Sequence, residues 1–364
     1  MAIGPRLRTD IVVIGAGQAG LSTAWHLAQR GLAPVRQYLV FDQEGGPGGA
    51  WQHRWPSLTL RTINRLHDLP GLAFQDALGL PSDTETVRAR DAVPRYFAEY
   101  ERRFGLPVYR PVVVSQVERH ETGFLLRTDR GEVSARGLVN ATGTWTRPNI
   151  PVVPGAEDFG GRTLHTRDYE NAEAFRDQHV IIVGAGISAL QLLDEISQVT
   201  RTTWVTRRVP EFREGPFDDV AGSKAVKLVD ERVRAGLPPR SVVSVTGLPV
   251  TPAVERMRAQ GVLERRPMFS RITSTGVAWD DGTTLDADVI LWCTGFRSAL
   301  DHLDALDLRE PGGGIVMGGR LATRVERDHR IHLVGYGPSA STIGANRAGR
   351  AAADELLAAL AESA

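Results

Sequence analysis

A single cysteine, Cys293, stands in 364 residues, so no disulfide can close within one chain and no pair of thiols can cycle between reduced and oxidised forms. Long apolar runs are missing too. No window approaches the roughly 18 apolar residues that a membrane-spanning helix needs. Charge of one sign is not in excess, since Lys+Arg and Asp+Glu are both 43 and the formal net charge is zero. That gives no support for nucleic-acid binding or for attraction to an anionic membrane surface. The stretch Met1 to Asp10 contains Pro5, Arg6 and Arg8 and has no apolar h-region, which makes the cytoplasm the expected location. No metal ion is expected. What remains is an ordinary globular composition, 42% apolar and 24% charged, in a chain long enough for two domains with sizeable cores.

One pattern occurs twice. Thr9 to Ile14 reads as a buried strand, Gly15-Ala16-Gly17-Gln18-Ala19-Gly20 as a glycine-rich loop, and Leu21 to Arg30 as a helix ending at Gly31. A second strand over Gln37 to Phe41 closes at Asp42. Much later, His179 to Val183 reads as a strand and Gly184-Ala185-Gly186-Ile187-Ser188-Ala189 as the loop. Leu190 to Val199 is the helix, and Thr202 to Thr206 is a strand that closes at Arg207-Arg208. Each β-α-β unit is followed by a hairpin pattern and an apolar strand ending in Ala/Cys-Thr-Gly. The hairpins are predicted from Gly123 and from Gly276, and the strands end at Ala141-Thr142-Gly143 and Cys293-Thr294-Gly295. Repetition in the same order is harder to obtain by chance than either motif alone.

In the first loop, Gly15 permits a tight turn, Gly17 removes a side chain where a diphosphate would pass, and Gly20 lets helix and strand pack closely. The helix N-terminus offers free N–H groups and a positive dipole end, and Asp42 is placed to accept from ribose hydroxyls. In the second loop Ala189 keeps the last position small. No acid follows its second strand. A guanidinium at Arg207 or Arg208 can bind the extra phosphate of NADP, which a carboxylate would repel. The alternative is that both arginines belong to a solvated turn. By physics alone the two X-Thr-Gly turns say that backbone passes close to something, another domain or a cofactor. Cys293 is expected to pack as a small apolar residue.

These residues resemble the flavin-dependent monooxygenases with two dinucleotide-binding domains, especially the short bacterial ones. The likeness covers nearly the whole chain. Gly48-Gly49-Ala50-Trp51 and Trp55-Pro56-Ser57-Leu58 are typical of that family. Phe159-Gly160-Gly161-Arg162-Thr163-Leu164-His165-Thr166-Arg167-Asp168-Tyr169 fits its fingerprint F-x-G-x-x-x-H-x-x-x-Y just before the second glycine loop. A tryptophan at the end marks the Baeyer–Villiger branch, whereas Tyr169 points to the branch that oxygenates sulfides and amines. Trp51 and Trp55 are read equally as core or as neighbours of the flavin. One departure stands out: where many members carry an asparagine held to support the flavin oxygen adduct, this chain has Arg61, with Asn64 out of register.

The resemblance implies an α/β protein of two Rossmann-like dinucleotide-binding domains, with the NADPH domain inserted into the FAD domain. The expected boundaries are 1–160 for the first part of the FAD domain, 161–288 for the NAD(P)H domain and 289–364 for the second FAD part. NADPH, with NADH left open, would reduce FAD; O2 would add as a C4a-hydroperoxide; and one oxygen would pass to a soft nucleophile such as a sulfide, or to an amine or ketone. The other reading is an NAD(P)H-dependent flavoprotein reductase that oxygenates nothing. Candidate cofactor contacts are Gly15, Gly17, Gly20, Asp42, Trp51, Thr142, Gly143, Gly184, Gly186, Ser188, Arg207, Arg208, Gly295 and Gly335. Arg61 is the candidate catalytic group. Ser339 to Asn346 is expected to close over the flavin, with the last helix, Arg347 to Leu360, aiming its N-terminus at the ring. Partners would be a small substrate and O2, without nucleic acid or membrane; a homodimer is compatible with this.

Overall fold

The computed structural model describes residues 7–63, 66–79, 86–121, 123–214, 219–240 and 247–362. The chain divides into two compact units. One comprises Met1–Thr144, Val226–Arg240 and Ser298–Ala364; the other comprises Trp145–Ala225 and Ser241–Arg297.

In the first unit, strand β1 (Leu7–Ile14) leads through the glycine loop to helix α1 (Gln18–Gln29) and strand β2 (Tyr38–Phe41). Short helix α2 (Phe74–Leu78) and helix α3 (Ala89–Phe104) precede β3 (Val108–Tyr109), β4 (Val114–His120), β5 (Gly123–Thr128) and β6 (Gly131–Asn140). Strand β1 pairs in parallel with both β2 and β6, and β6 pairs in parallel with the late strand Asp328–Leu333. Continuous apolar runs such as Ile11 to Ile14 suit a sheet buried on both faces. On one face Ile11, Val13 and Val139 pack with α1, α3 and the closing helix Thr342–Glu362; on the other Val12, Ile14 and Leu138 meet the β4–β5 ribbon. The hairpin strand and the apolar strand that the sequence suggested separately are one continuous β6, pairing with β5 at its start and with β1 along its length.

The second unit has five parallel strands in the order Arg265–Pro267, β9 (Thr202–Thr206), β8 (Val180–Val183), Val289–Trp292 and β7 (Arg162–His165). Helix α4 (Ile187–Ser197) follows the second glycine loop. Ile181, Val183, Val205, Ile290 and Trp292 pack on one face against Phe269 and against Ile272 and Val277 of a separate three-stranded ribbon. Here hairpin and apolar strand stay distinct: Asp288 breaks the run, and its carboxylate accepts from the His179 N–H at 2.7 Å.

The units differ from the expected boundaries near 160 and 288. Val289–Trp292 is a central strand of the second sheet, and Trp145 to Asn149 runs beside Gly295 to Arg297. Trp145 stacks on Phe296 at 5.1 Å, and the Arg297 N–H donates to the Arg147 carbonyl at 2.8 Å. The end of helix α5 (Asp219–Arg234) and the residues after it belong to the first unit, with Val233 buried in the core beside Leu300 and Leu303.

Candidate functional site: two glycine loops and their turns

Each unit builds its loop in the same way. Gly15 has φ +101° and Gly184 has φ +146°, values that L side chains rarely adopt, and a Cβ at either would press on a carbonyl oxygen. That oxygen belongs to Ala141 for Gly15 and to Cys293 for Gly184, at 2.5 and 2.3 Å from the added Cβ. The repeated X-Thr-Gly segments therefore pass close to their own unit's glycine loop. Ala141 N–H donates to the Ile14 carbonyl, and Cys293 N–H to the Val183 carbonyl. Cys293 is buried and packs as a small apolar residue, as expected, and burial pushes its thiol up to about 12.

Gly17 and Gly186 are different. A Cβ at either would meet nothing within 4 Å. Each is also the N-cap of its helix with no side-chain cap, and neither helix has an acid in its first turn. By contrast, Thr251 caps the helix Pro252–Ala259 in the ordinary way. Open space beside uncapped N–H groups at a positive helix end is the cradle an anionic diphosphate requires. At the third position, Gly20 packs so tightly that a Cβ would lie 1.8 Å from the Gly15 carbonyl oxygen, whereas Ala189 is fully buried.

Asp42 is buried. One carboxylate oxygen accepts from the Ala16 N–H at 2.7 Å and the other from the Glu44 N–H at 2.8 Å, so it shapes the first loop directly. Burial pushes its carboxyl up, while those two bonds and the charge of Arg110 pull it down. Gly48-Gly49 also joins this loop, because a Cβ at Gly49 would lie 3.2 Å from the Gly17 Cα. The half-buried Trp51 packs on the first unit's helix-side core, with the Arg54 guanidinium 5.6 Å above its ring; Trp55 is buried. Gly335 sits against Ala19, and Gln18 Nε2 donates to Asn346 Oδ1 at 2.9 Å. The closing helix thus starts at Thr342, earlier than expected, and Ser339 to Asn346 lies beside the start of α1.

A chain of bonds the sequence did not reveal supports the first turn. His302 Nε2–H donates to Asn140 Oδ1 at 2.7 Å, Asn140 Nδ2 to Thr142 Oγ1 at 3.0 Å, and Thr142 Oγ1 to the Ala299 carbonyl at 2.7 Å. Asn140 uses its amide as donor to Thr142, so the imidazole must supply the proton, and burial lowers the His302 pKa to about 4. Gly143 and Gly295 both have positive φ and open space at the Cβ position. In the second unit the fingerprint histidine has a comparable task. The Arg167 N–H donates to His165 Nδ1, leaving Nε2–H to donate to the Gly295 carbonyl at 2.9 Å. Tyr169 is buried, stacks on Phe175 and donates to Glu195 of α4 at 2.8 Å. Half-buried Ser188 lies in the first turn of α4; Arg207 and Arg208 are exposed beyond β9. Arg61 is exposed on the turn Thr59 to Thr62, and Asn64 lies outside the described residues.

A family model described as pyridine nucleotide-disulphide oxidoreductase matches residues 12–220, more than half of the chain. A solved flavin-containing monooxygenase from Stenotrophomonas maltophilia is 35% identical, with 96% of this chain and 98% of that one covered and a TM-score of 0.79. The chain belongs to the flavin-containing monooxygenases. It is an oxidoreductase with flavin-dependent monooxygenase activity, and it uses a nicotinamide nucleotide. Among curated relatives, an uncharacterized oxidoreductase CzcO from Bacillus subtilis is 26% identical over 84% of this chain and 87% of its own length. An indole-3-pyruvate monooxygenase, YUCCA4, from Oryza sativa subsp. japonica is 27% identical over 80% of this chain and 75% of its own. A bacillithiol disulfide reductase from Staphylococcus aureus shares the fold, with a TM-score of 0.70 at 16% identity. No helix among the described residues is long and apolar enough to cross a membrane.

Proposed function

We propose that this monooxygenase holds FAD at Gly15–Gly20 and NADPH at Gly184–Ala189, and transfers one oxygen atom from O2 to a soft nucleophile such as a sulfide. The observation that carries the reading is the contrast between two otherwise matching loops. Both offer open, uncapped helix N-termini, but the first is followed by the buried carboxylate of Asp42 and the second by Arg207 and Arg208. A carboxylate suits ribose hydroxyls, and a guanidinium suits a phosphate. The flavin, when bound, would supply oxygen activation at C4a after reduction by the nicotinamide. Asp42 and the N–H groups of α1 would hold the adenosine and diphosphate of FAD. The N–H groups of α4, with Ser188, would hold the second diphosphate.

The test is product balance with methyl phenyl sulfide, NADPH and O2. One sulfoxide per NADPH consumed is expected. NADPH oxidation that yields only hydrogen peroxide, with no sulfoxide, amine oxide or ester from a panel of substrates, would move the protein to the reductase reading.

Replacing Arg207 and Arg208 together with glutamine should raise the Michaelis constant for NADPH by about ten- to a hundredfold and leave that for NADH nearly unchanged. This is the loss expected for roughly 1.5–3 kcal/mol of charge-assisted hydrogen bonding. Equal responses to the two nucleotides would remove the arginines from 2′-phosphate recognition.

Arg61, in place of the family asparagine, is proposed to hold the activated oxygen by its positive charge. Arg61→Ala should leave flavin reduction by NADPH at its wild-type rate, speed decay of the activated oxygen by about tenfold if one such contact is lost, and so increase the share of electrons lost as hydrogen peroxide. Slowed reduction with unchanged peroxide would place Arg61 with the nicotinamide instead.

A further inference from the structure

We propose that Arg265, which lies far along the chain from the second glycine loop, sets the preference for NADPH by fixing the turn that carries Arg207 and Arg208. This rests on the reading of those two arginines given above. Thr206, the last residue of β9, is fully buried, and its hydroxyl donates to the Arg208 carbonyl at 2.7 Å. The same hydroxyl accepts from Arg265 Nε–H at 2.9 Å, and Arg265 Nη2 reaches the Thr206 carbonyl at 3.4 Å. The strand Arg265–Pro267 runs parallel to β9, with Pro267 beside Thr206. One guanidinium thus grips both the hydroxyl and the carbonyl of the residue from which the turn departs.

The charges around this turn are uncompensated among the described residues. Arg256 pairs with Asp194, Arg176 with Glu173 and Arg167 with Asp168, all in the same unit. Arg207, Arg208 and Arg265 form no ion pair with any described carboxylate, and the first two are exposed. A dianionic phosphate placed at this turn would give the two exposed guanidinium groups a partner of opposite charge. A hydroxyl in the same place, as in NADH, would not. A long, exposed arginine loses rotamer freedom when it binds, so a turn already fixed in shape loses less on binding. Arg265 is therefore a positioning residue. Two of its donor groups are spent on Thr206, and its effect passes through the turn.

The test uses the holoenzyme and two ligands that differ only in the phosphate of interest, adenosine 2′,5′-bisphosphate and AMP, titrated calorimetrically. Michaelis constants for NADPH and NADH are measured alongside. Arg265→Ala and Thr206→Val should each weaken the bisphosphate and raise the NADPH constant by about tenfold, the size of one charge-assisted contact. AMP affinity, the NADH constant and the turnover rate at saturating NADPH should stay within about twofold of wild type. Thr206→Val keeps all three charges and removes only the hydroxyl, so its selective loss separates the grip from bulk charge. Arg265→Lys keeps the charge and aliphatic stem but cannot make both contacts, and should lose most of the preference as well. Equal changes for both ligands, or an untouched bisphosphate affinity in Thr206→Val and Arg265→Lys, would overturn the proposal. If the Arg207→Gln, Arg208→Gln protein alone loses discrimination, the 2′-phosphate reading stands and only the role of Arg265 fails. If that double variant still separates the two ligands as wild type does, the underlying reading fails.

Discussion

Gly17→Val should purify as a folded, colourless protein. A Cβ at Gly17 meets no atom within 4 Å, so a side chain there leaves the backbone into open space. It would instead occupy the space where the diphosphate of FAD is proposed to lie against the helix N-terminus. Gly20→Ala makes the contrast, because its Cβ would lie 1.8 Å from the Gly15 carbonyl oxygen and loop or helix must shift. The two glycines of one loop are thus expected to fail for different reasons, Gly17 through its ligand and Gly20 through its packing. Circular dichroism and the flavin absorbance of the purified proteins separate them. Gly17→Val with wild-type ellipticity and no bound flavin is the expected result, and a full yellow spectrum in that variant would remove Gly17 from the FAD site. Asp42→Ala should show both defects at once. Its carboxylate accepts from the Ala16 and Glu44 N–H groups, so removing it leaves two loop donors to find water as well as costing the ribose contacts.

That double duty of Asp42 marks how far the sequence could be read. Two β-α-β units, their glycine loops and their order are visible because each rests on local rules: continuous apolar strands, a positive-φ glycine and helix periodicity. The X-Thr-Gly repeats are also visible, but their meaning is not. The contact between Ala141 and Gly15, and between Cys293 and Gly184, joins residues more than a hundred positions apart, and no local pattern encodes that pairing. The same applies to His302, whose imidazole reaches Asn140 across 162 positions, and to Arg265, which reaches Thr206 across 59. A histidine on a short helical turn and an arginine in a run of charged residues look like ordinary surface in sequence. The unit boundaries moved for a related reason. Trp145 to Asn149 has no strong strand signal, and it belongs to the second unit because it runs beside Gly295 to Arg297. The fingerprint Phe159 to Tyr169 could be found by its spacing, yet its physical content, a histidine donating to the Gly295 carbonyl and a tyrosine anchored on α4, emerges only from the fold.

Acid should destabilise this protein by several kcal/mol between about pH 6.5 and 5, before most carboxylates titrate. His332 is fully buried, with Nδ1 facing the Thr323 hydroxyl at 3.1 Å, and burial together with nearby Arg324 and His329 lowers its pKa to about 3. His302 is held neutral down to about pH 4 by burial. In the unfolded chain both rings titrate near 6.5. Between those values the unfolded state binds more protons than the folded one, so stability falls as the pH falls. The neutral-ring contribution is complete above pH 6.5 and is lost progressively on the way to pH 4 and 3. At pH 5 each ring costs about 2 kcal/mol relative to pH 7.5, and the pair about 4 kcal/mol, a large fraction of the roughly 5–15 kcal/mol that holds a typical domain folded. His26, lowered to about 4 by burial and by Arg30 and Arg350, acts in the same direction but is more open to solvent and more screened. The measurement is urea unfolding at pH 7.5 and pH 5 for wild type and for His332→Phe. The variant loses a hydrogen bond to Thr323, so its absolute stability is not the readout. The readout is the difference between the two pH values, which should shrink by about 2 kcal/mol once the buried titrating ring is gone. Parallel losses in wild type and variant would mean that His332 becomes protonated without unfolding the protein, and that the acid sensitivity arises elsewhere.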